Sequence, residues 1–213
     1  MSTAFDPRDQ LRANELGQRL RQLRVERGLT LVELSRRCEV AISTLSKIEN
    51  GQVSPVYGTL RKIAVGLRIA FERLVAQPQS SSDGECRALT LQGQTSDFST
   101  GRYDYQMHAG SLASKAMLPI IMTIRARSAP VEADMSSHEG EEFLFLLEGQ
   151  VEIYLEREDP VRLRPGESLY INSRQRHGFV SVGVGDARLL TVTYDPEQRV
   201  NEREILPPNM EDA

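Results

Sequence analysis

A single change of hydrophobic period, near residue 77, divides this 213-residue chain into two parts that no one type of secondary structure can accommodate. Before it, apolar residues recur at helical spacing. Leu16, Leu20 and Leu23 fall at i, i+4 and i+7, one stripe of an amphipathic helix, with Arg19, Arg21, Arg24 and Arg27 off the stripe. Gly28 stops that helix, and Thr30 with Glu33 three residues later reads as a capping box for a second, short helix from Leu31 to about Cys38. Ser43 and Thr44 lead into a third helix that Asn50-Gly51 ends. Ser54-Pro55 reads as an N-cap and an N1 proline for a fourth, and a last short helix is expected near 71–75. After it, short runs rich in β-branched and aromatic residues replace the helices, at 103–108, 118–124, 142–147, 151–155, 168–171, 178–182 and 189–193. Turn signals such as Pro165-Gly166 and Gly183-Val184-Gly185 separate them, so a barrel or sandwich is expected. The polar stretch 78–85 reads as a linker and 201–213 as a loose tail. The chain is therefore expected to be α + β in two domains, an all-α bundle over 1–77 and an all-β barrel over 86–200.

Charge follows the same division. Residues 1–77 carry 13 Lys/Arg against 8 Asp/Glu, a net +5, whereas 78–213 carry 13 against 22, a net −9. The whole-chain value of −4 thus hides a basic segment suited to nucleic acid. No apolar run approaches the roughly 20 residues of a membrane span, and the first residues lack the pattern of a signal peptide. The two cysteines, Cys38 and Cys86, fall in different segments, so no disulfide framework and a cytoplasmic location are expected. Cys38 stands where the helical pattern requires an apolar core residue.

Two short helices joined by a tight turn within a basic bundle suggest a helix-turn-helix. Such a motif needs a second helix whose first half offers short side chains to base edges. Here Ile42, Ser43, Thr44 and Lys47 occupy that half, and Arg36 and Arg37 on the preceding helix can reach phosphates. The run GLTLVELSRRCEVAISTLSKIENGQVSPVYGTLRKIAVGL resembles the lambda-repressor-like domain of the Xre regulator family, over about residues 14–76. The resemblance implies base-edge contacts from Ile42, Ser43 and Lys47, an Asn50 that fixes backbone beside a phosphate, and a Glu49 that caps or pairs. Leu31 stands where the family often has Gln, Glu39 where it often has a turn glycine, and Ile42 where a polar reader is usual. At Ile42 a thymine methyl is the natural contact.

In the second half, the run SSHEGEEFLFLLEGQVEIYL places His138 and Glu142 four apart at the mouth of a strand. A strand pair could bring His177 beside them, and two imidazoles with one carboxylate form a three-ligand set suited to one divalent metal, Fe, Zn or Mn. This run resembles the cupin family: His138 and Glu142 match its first motif, and Pro165-Gly166 with His177 its second. The implied fold is a double-stranded β-helix. Ser136 stands where cupins usually carry a further histidine, Asn172 where proline is common, and Ser181 where asparagine is. Tyr103, Tyr105, Tyr170 and Phe179 are candidate pocket residues. Phe143, Phe145 and Leu147 alternate with Leu144 and Leu146, a strand apolar on both faces, which implies a barrel interior on one side and a dimer partner or covering sheet on the other.

The expected function is a sequence-specific transcriptional regulator, binding a double-stranded DNA operator as a homodimer and a small-molecule effector through its cupin, with no catalytic residues and no membrane partner. A second reading is a mononuclear non-heme iron enzyme, because the domain order and the His-x-x-x-Glu pattern also resemble the epoxidase of fosfomycin biosynthesis. In that enzyme a lysine of the helical domain reaches the active site; here Gly28 occupies the corresponding position.

Overall fold

The computed structural model describes residues 7–75, 87–112 and 115–194. The expected linker, the expected tail and Cys86 lie outside them. Five helices come first: α1 (Pro7–Glu26), α2 (Leu31–Cys38), α3 (Ile42–Glu49), α4 (Tyr57–Leu67) and α5 (Phe71–Val75). Nine strands follow: β1 (Ser96–Ser99), β2 (Tyr103–Met107), β3 (Met117–Ile124), β4 (Glu141–Glu148), β5 (Val151–Leu155), β6 (Val161–Leu163), β7 (Ser168–Asn172), β8 (His177–Ser181) and β9 (Ala187–Tyr194). They form two antiparallel sheets, β1-β2-β3-β9-β4-β7 and β6-β5-β8. No helix among the described residues is long and apolar enough to cross a membrane.

Local chemistry accounts for the helix limits. Gly28, at φ +64°, ends α1. The Thr30 backbone N–H donates to the Glu33 carboxylate at 2.7 Å, and the Glu33 N–H donates back to the Thr30 hydroxyl at 3.2 Å. That capping box starts α2 at Leu31, as the sequence predicts. Glu39 closes α2 in the left-handed region, φ 53°, where a glycine would carry no strain. Cys38 is buried, and burial pushes its thiol pKa up, as suits an unreactive core residue.

Two helix starts differ from the sequence reading. Ser43 and Thr44 lie inside the first turn of α3, whose N-cap, Ala41, has no capping side chain. Ser54 and Pro55 do not cap α4 either. Its N-cap is Val56, again with no side-chain bond of its own. The missing cap comes from the barrel: the Ser136 hydroxyl accepts the buried Gly58 N–H at 2.6 Å.

That bond belongs to a broad contact between the two parts. Phe71 of α5 meets Phe98 of β1 with ring centroids 5.7 Å apart. Lys115 pairs with Glu72, and Arg12 lies 3.4 Å from Asp104. One continuous core runs from Leu20 and Leu34 of the helices to Leu144 and Ile153 of the strands. In β4, period-2 alternation turns Glu142, Leu144 and Leu146 inward, whereas Phe143 and Leu147 remain exposed on the outer face of the larger sheet. The second buried face expected from the sequence is therefore open within one chain. Strands β1 and β6 have no counterpart in the sequence reading.

Candidate functional site

The first candidate surface is α2-turn-α3. Leu45 and Ile48 anchor α3 in the core, leaving Ile42, Ser43, Lys47 and Asn50 exposed and Thr44 half-exposed on the opposite face. Its rear is braced by Arg24 of α1, which makes a two-point pair with Glu49 at 2.6 and 2.8 Å and donates to the Leu29 carbonyl at 2.8 Å. Glu49 thus has the ion-pair role that the resemblance implies. The Asn50 side-chain amide donates to the Ser46 carbonyl at 2.8 Å, so in this structure it satisfies the end of α3. Arg36 and Arg37 are both exposed. Arg37 also borders a groove of about 410 Å³ between the two parts of the chain, together with Glu139 and Arg174 of the barrel.

The second site is the barrel mouth. Alternation in β4 brings Glu142 inward from the six-stranded sheet, and His177 opens β8 in the three-stranded one. His138 precedes β4 and is fixed by its own N–H, which donates to the Ser173 carbonyl at 3.0 Å. All three are buried, and one ligand atom from each lies within 4.8 Å of the others. The tautomers follow from the partners. His138 Nδ1 faces the Glu139 carbonyl at 3.1 Å and His177 Nδ1 faces the Gln175 carbonyl at 2.9 Å. A carbonyl can only accept, so each Nδ1 donates, and each Nε2 is left to face the other side chains of the cluster. His138 Nε2 is buried 2.9 Å from Glu142 Oε1 without a well-formed hydrogen bond. That nitrogen, two imidazoles and one carboxylate fit a divalent cation, and His138, Glu142 and His177 could hold it.

The electrostatics agree. Burial pushes the Glu142 carboxyl up, but the His138 and His177 side chains, when they carry charge, and the Thr193 hydroxyl, which donates at 3.1 Å, outweigh it and hold the pKa at about 2. Burial pushes His177 down, toward the neutral form that can ligate. Ser136 is tied to the same mouth, exchanging backbone hydrogen bonds with His177 at 2.8 and 2.9 Å. It offers its hydroxyl to α4 rather than to the three ligands.

Above the triad lies a cavity of about 520 Å³. Tyr103, Tyr105 and Phe179 line it. The Tyr103 hydroxyl is tied to the Phe179 backbone at 3.0 and 2.9 Å, so it shapes the wall. Tyr170 does not line it. It pairs with Phe143 across β7 and β4, so it shares the outward face; it is 61% exposed, and its hydroxyl donates to Glu141. The residue that sequence reasoning missed is Tyr57, at the start of α4. Its ring enters the mouth, stacked on Tyr105 at 6.0 Å and edge-on to His138 at 5.1 Å. Burial pushes its hydroxyl pKa up to about 12. That hydroxyl and the Thr191 hydroxyl are both buried without a hydrogen bond, each costing about 1–3 kcal/mol if left so. The available signal was an aromatic at a helix start with glycine after it, in a helix without its own cap.

Comparisons with known proteins parallel this division. A helix-turn-helix domain family matches residues 15–75, and a cupin domain family matches 126–193. The HTH-type transcriptional regulator PuuR of Escherichia coli (strain K12) is 22% identical over 175 residues, 82% of this chain and 92% of PuuR. The HTH-type transcriptional regulator SinR of Bacillus subtilis (strain 168) is 33% identical over 101 residues, 43% of this chain and 91% of SinR. The (S)-2-hydroxypropylphosphonic acid epoxidase of Streptomyces wedmorensis is 26% identical over 96 residues, 43% of this chain and 48% of that enzyme. A solved HTH_3 family transcriptional regulator from Vibrio cholerae shares the fold, with a TM-score of 0.60 and 24% identity over 88% of this chain and 99% of its own.

Proposed function

The chain belongs to the helix-turn-helix transcriptional regulators, with a cupin domain behind the helices, and from that membership we propose that it binds a two-fold operator as a homodimer and that a small effector in the barrel mouth adjusts this binding. The observation that carries the reading is the exposed row Ile42, Ser43 and Lys47 on a braced α3. Arg36 and Arg37 beside it take phosphates, Thr44 reaches the groove edge, and Asn50 holds the end of the reading helix. The exposed Phe143, Leu147 and Tyr170 supply the face on which a second copy packs, which sets two reading helices about one turn of DNA apart.

A mobility shift with the DNA upstream of the gene itself and of its neighbours tests the reading. Lys47→Ala is expected to cost about 1–3 kcal/mol per half-site on the cognate sequence and much less on random DNA. Equal loss on both would assign Lys47 to phosphate instead; no shift with the parent protein would remove the operator reading. The likeness to the epoxidase keeps an iron-dependent oxidase as the second reading. Oxygen consumption by iron-loaded protein separates the two, and the regulator reading expects none above the free-iron background. Tyr57 favours the regulator, since its ring covers the approach to the triad, and among the described residues no lysine lines the cavity wall.

A further inference from the structure

We propose that the effector site lies between the two domains, with the first turn of α4 as its lid: a small polar ligand reaching the triad displaces Tyr57, and with it breaks the bond by which Ser136 caps α4. The inference rests on the regulator reading only in its last step, the effect on operator binding. Tyr57 is the first residue of α4, yet its ring sits inside the barrel mouth and only 6% of it is exposed. Its hydroxyl and that of Thr191 face one cavity with no hydrogen bond. A ligand with a hydrogen-bonding group, small enough for about 520 Å³, would satisfy the Thr191 hydroxyl, and the displaced ring would carry the Tyr57 hydroxyl out to water.

Motion of Tyr57 cannot remain local. The next residue, Gly58, donates to Ser136 at 2.6 Å, and Ser136 is paired through its backbone to the ligand residue His177. Gly58 is required by the closeness of this contact: a Cβ there would lie 2.4 Å from the Ser137 carbonyl oxygen, a backbone atom that cannot rotate away. At its other end α4 is locked onto α2, where Gly66 packs so close to Cys38 that a Cβ would lie 2.6 Å from the Cys38 Cβ. A shift of the α4 start is therefore passed to the reading unit. A ligand can regulate only if it binds two arrangements unequally, and a lid that must move provides that inequality.

Three variants of the full-length chain test this. Gly58→Ala breaks the close approach while improving the helix propensity of α4, and Ser136→Ala removes the cap alone. In both, hydrogen exchange of the first-turn amides of α4 should accelerate at least tenfold, and operator affinity should shift at least fivefold in a common direction. Unchanged exchange would overturn the cap. Accelerated exchange with parental operator affinity would overturn the coupling. If the parent binds no DNA, the regulator reading fails, and exchange still decides the cap. Tyr57→Ala tests the lid with Co(II) alone as probe: with no ring to displace, association should quicken at least tenfold and Kd should tighten at least threefold, and a parental value of either would overturn it.

Discussion

Between 50 and 200 mM salt, the affinity of the proposed homodimer for its operator is expected to fall by about 150-fold. The size of the fall follows from the cations that meet phosphates and release counterions. Arg36 and Arg37 are exposed beside α3, so two protomers present four. At a slope of about −0.9 per neutralised phosphate, four give roughly −3.6 in a log–log plot, and a fourfold rise in salt then costs about 150-fold. The acidic barrel, part of the −9 segment, adds no such contacts and should keep the helices turned toward DNA. Arg36→Ala removes two of the four and should bring the slope to roughly −1.8, leaving a loss of about 12-fold over the same range. Arg37→Ala discriminates further. Arg37 borders the groove beside Glu139 and Arg174, so a slope unchanged by its removal would assign it to the barrel instead of phosphate. Fluorescence anisotropy across a salt series measures all three, and an affinity independent of salt would contradict the phosphate contacts.

What the sequence revealed, and what it hid, follows from the range of the interactions. Thr30 and Glu33 are three residues apart, so the start of α2 was legible; so was the end of α3, at Asn50-Gly51. The runs rich in β-branched and aromatic residues located β2–β5 and β7–β9 because each carries its composition between its own turn signals. Strand β1, SDFS, has a single large apolar residue, and β6 has three residues, too few to show a period. The start of α4 was misread because its cap arrives from 78 residues away, beyond any local pattern. Tyr170 was misplaced because a tyrosine in a strand declares neither its parity nor its partner; only its pairing with Phe143 puts it outside. Ser136 is the instructive case. In the sequence it is a missing ligand, a departure from the cupin pattern. In the structure its hydroxyl is committed to Gly58, so the same change that reduces the metal set to three also joins the barrel to the helices.

Removing one of the three ligands is expected to abolish useful metal binding. Glu142→Gln keeps the volume and the hydrogen bond from Thr193 but deletes the one anionic ligand, and Co(II) or Zn(II) affinity should fall about 100- to 1,000-fold. His177→Ala should do the same, whereas His108→Ala, half-exposed at the end of β2 and outside the cluster, should leave affinity unchanged. The metal is also a stability probe. At 100 times its Kd it should raise the unfolding free energy of the parent by about 2.7 kcal/mol, and that of Glu142→Gln by nearly nothing. Acid separates the metal-free proteins. A carboxyl whose pKa falls from the ordinary 4.5 to about 2 on folding stabilises the native state above 4.5 and loses that contribution as pH drops toward 2. The parent should therefore lose stability over that window, and Glu142→Gln, with nothing to protonate there, should lose less. A Co(II) titration followed by its ligand-field absorption, together with acid unfolding of the two proteins, decides the assignment. Parental metal affinity in Glu142→Gln would place the ion elsewhere, because a three-ligand site has no fourth side chain to replace the one removed.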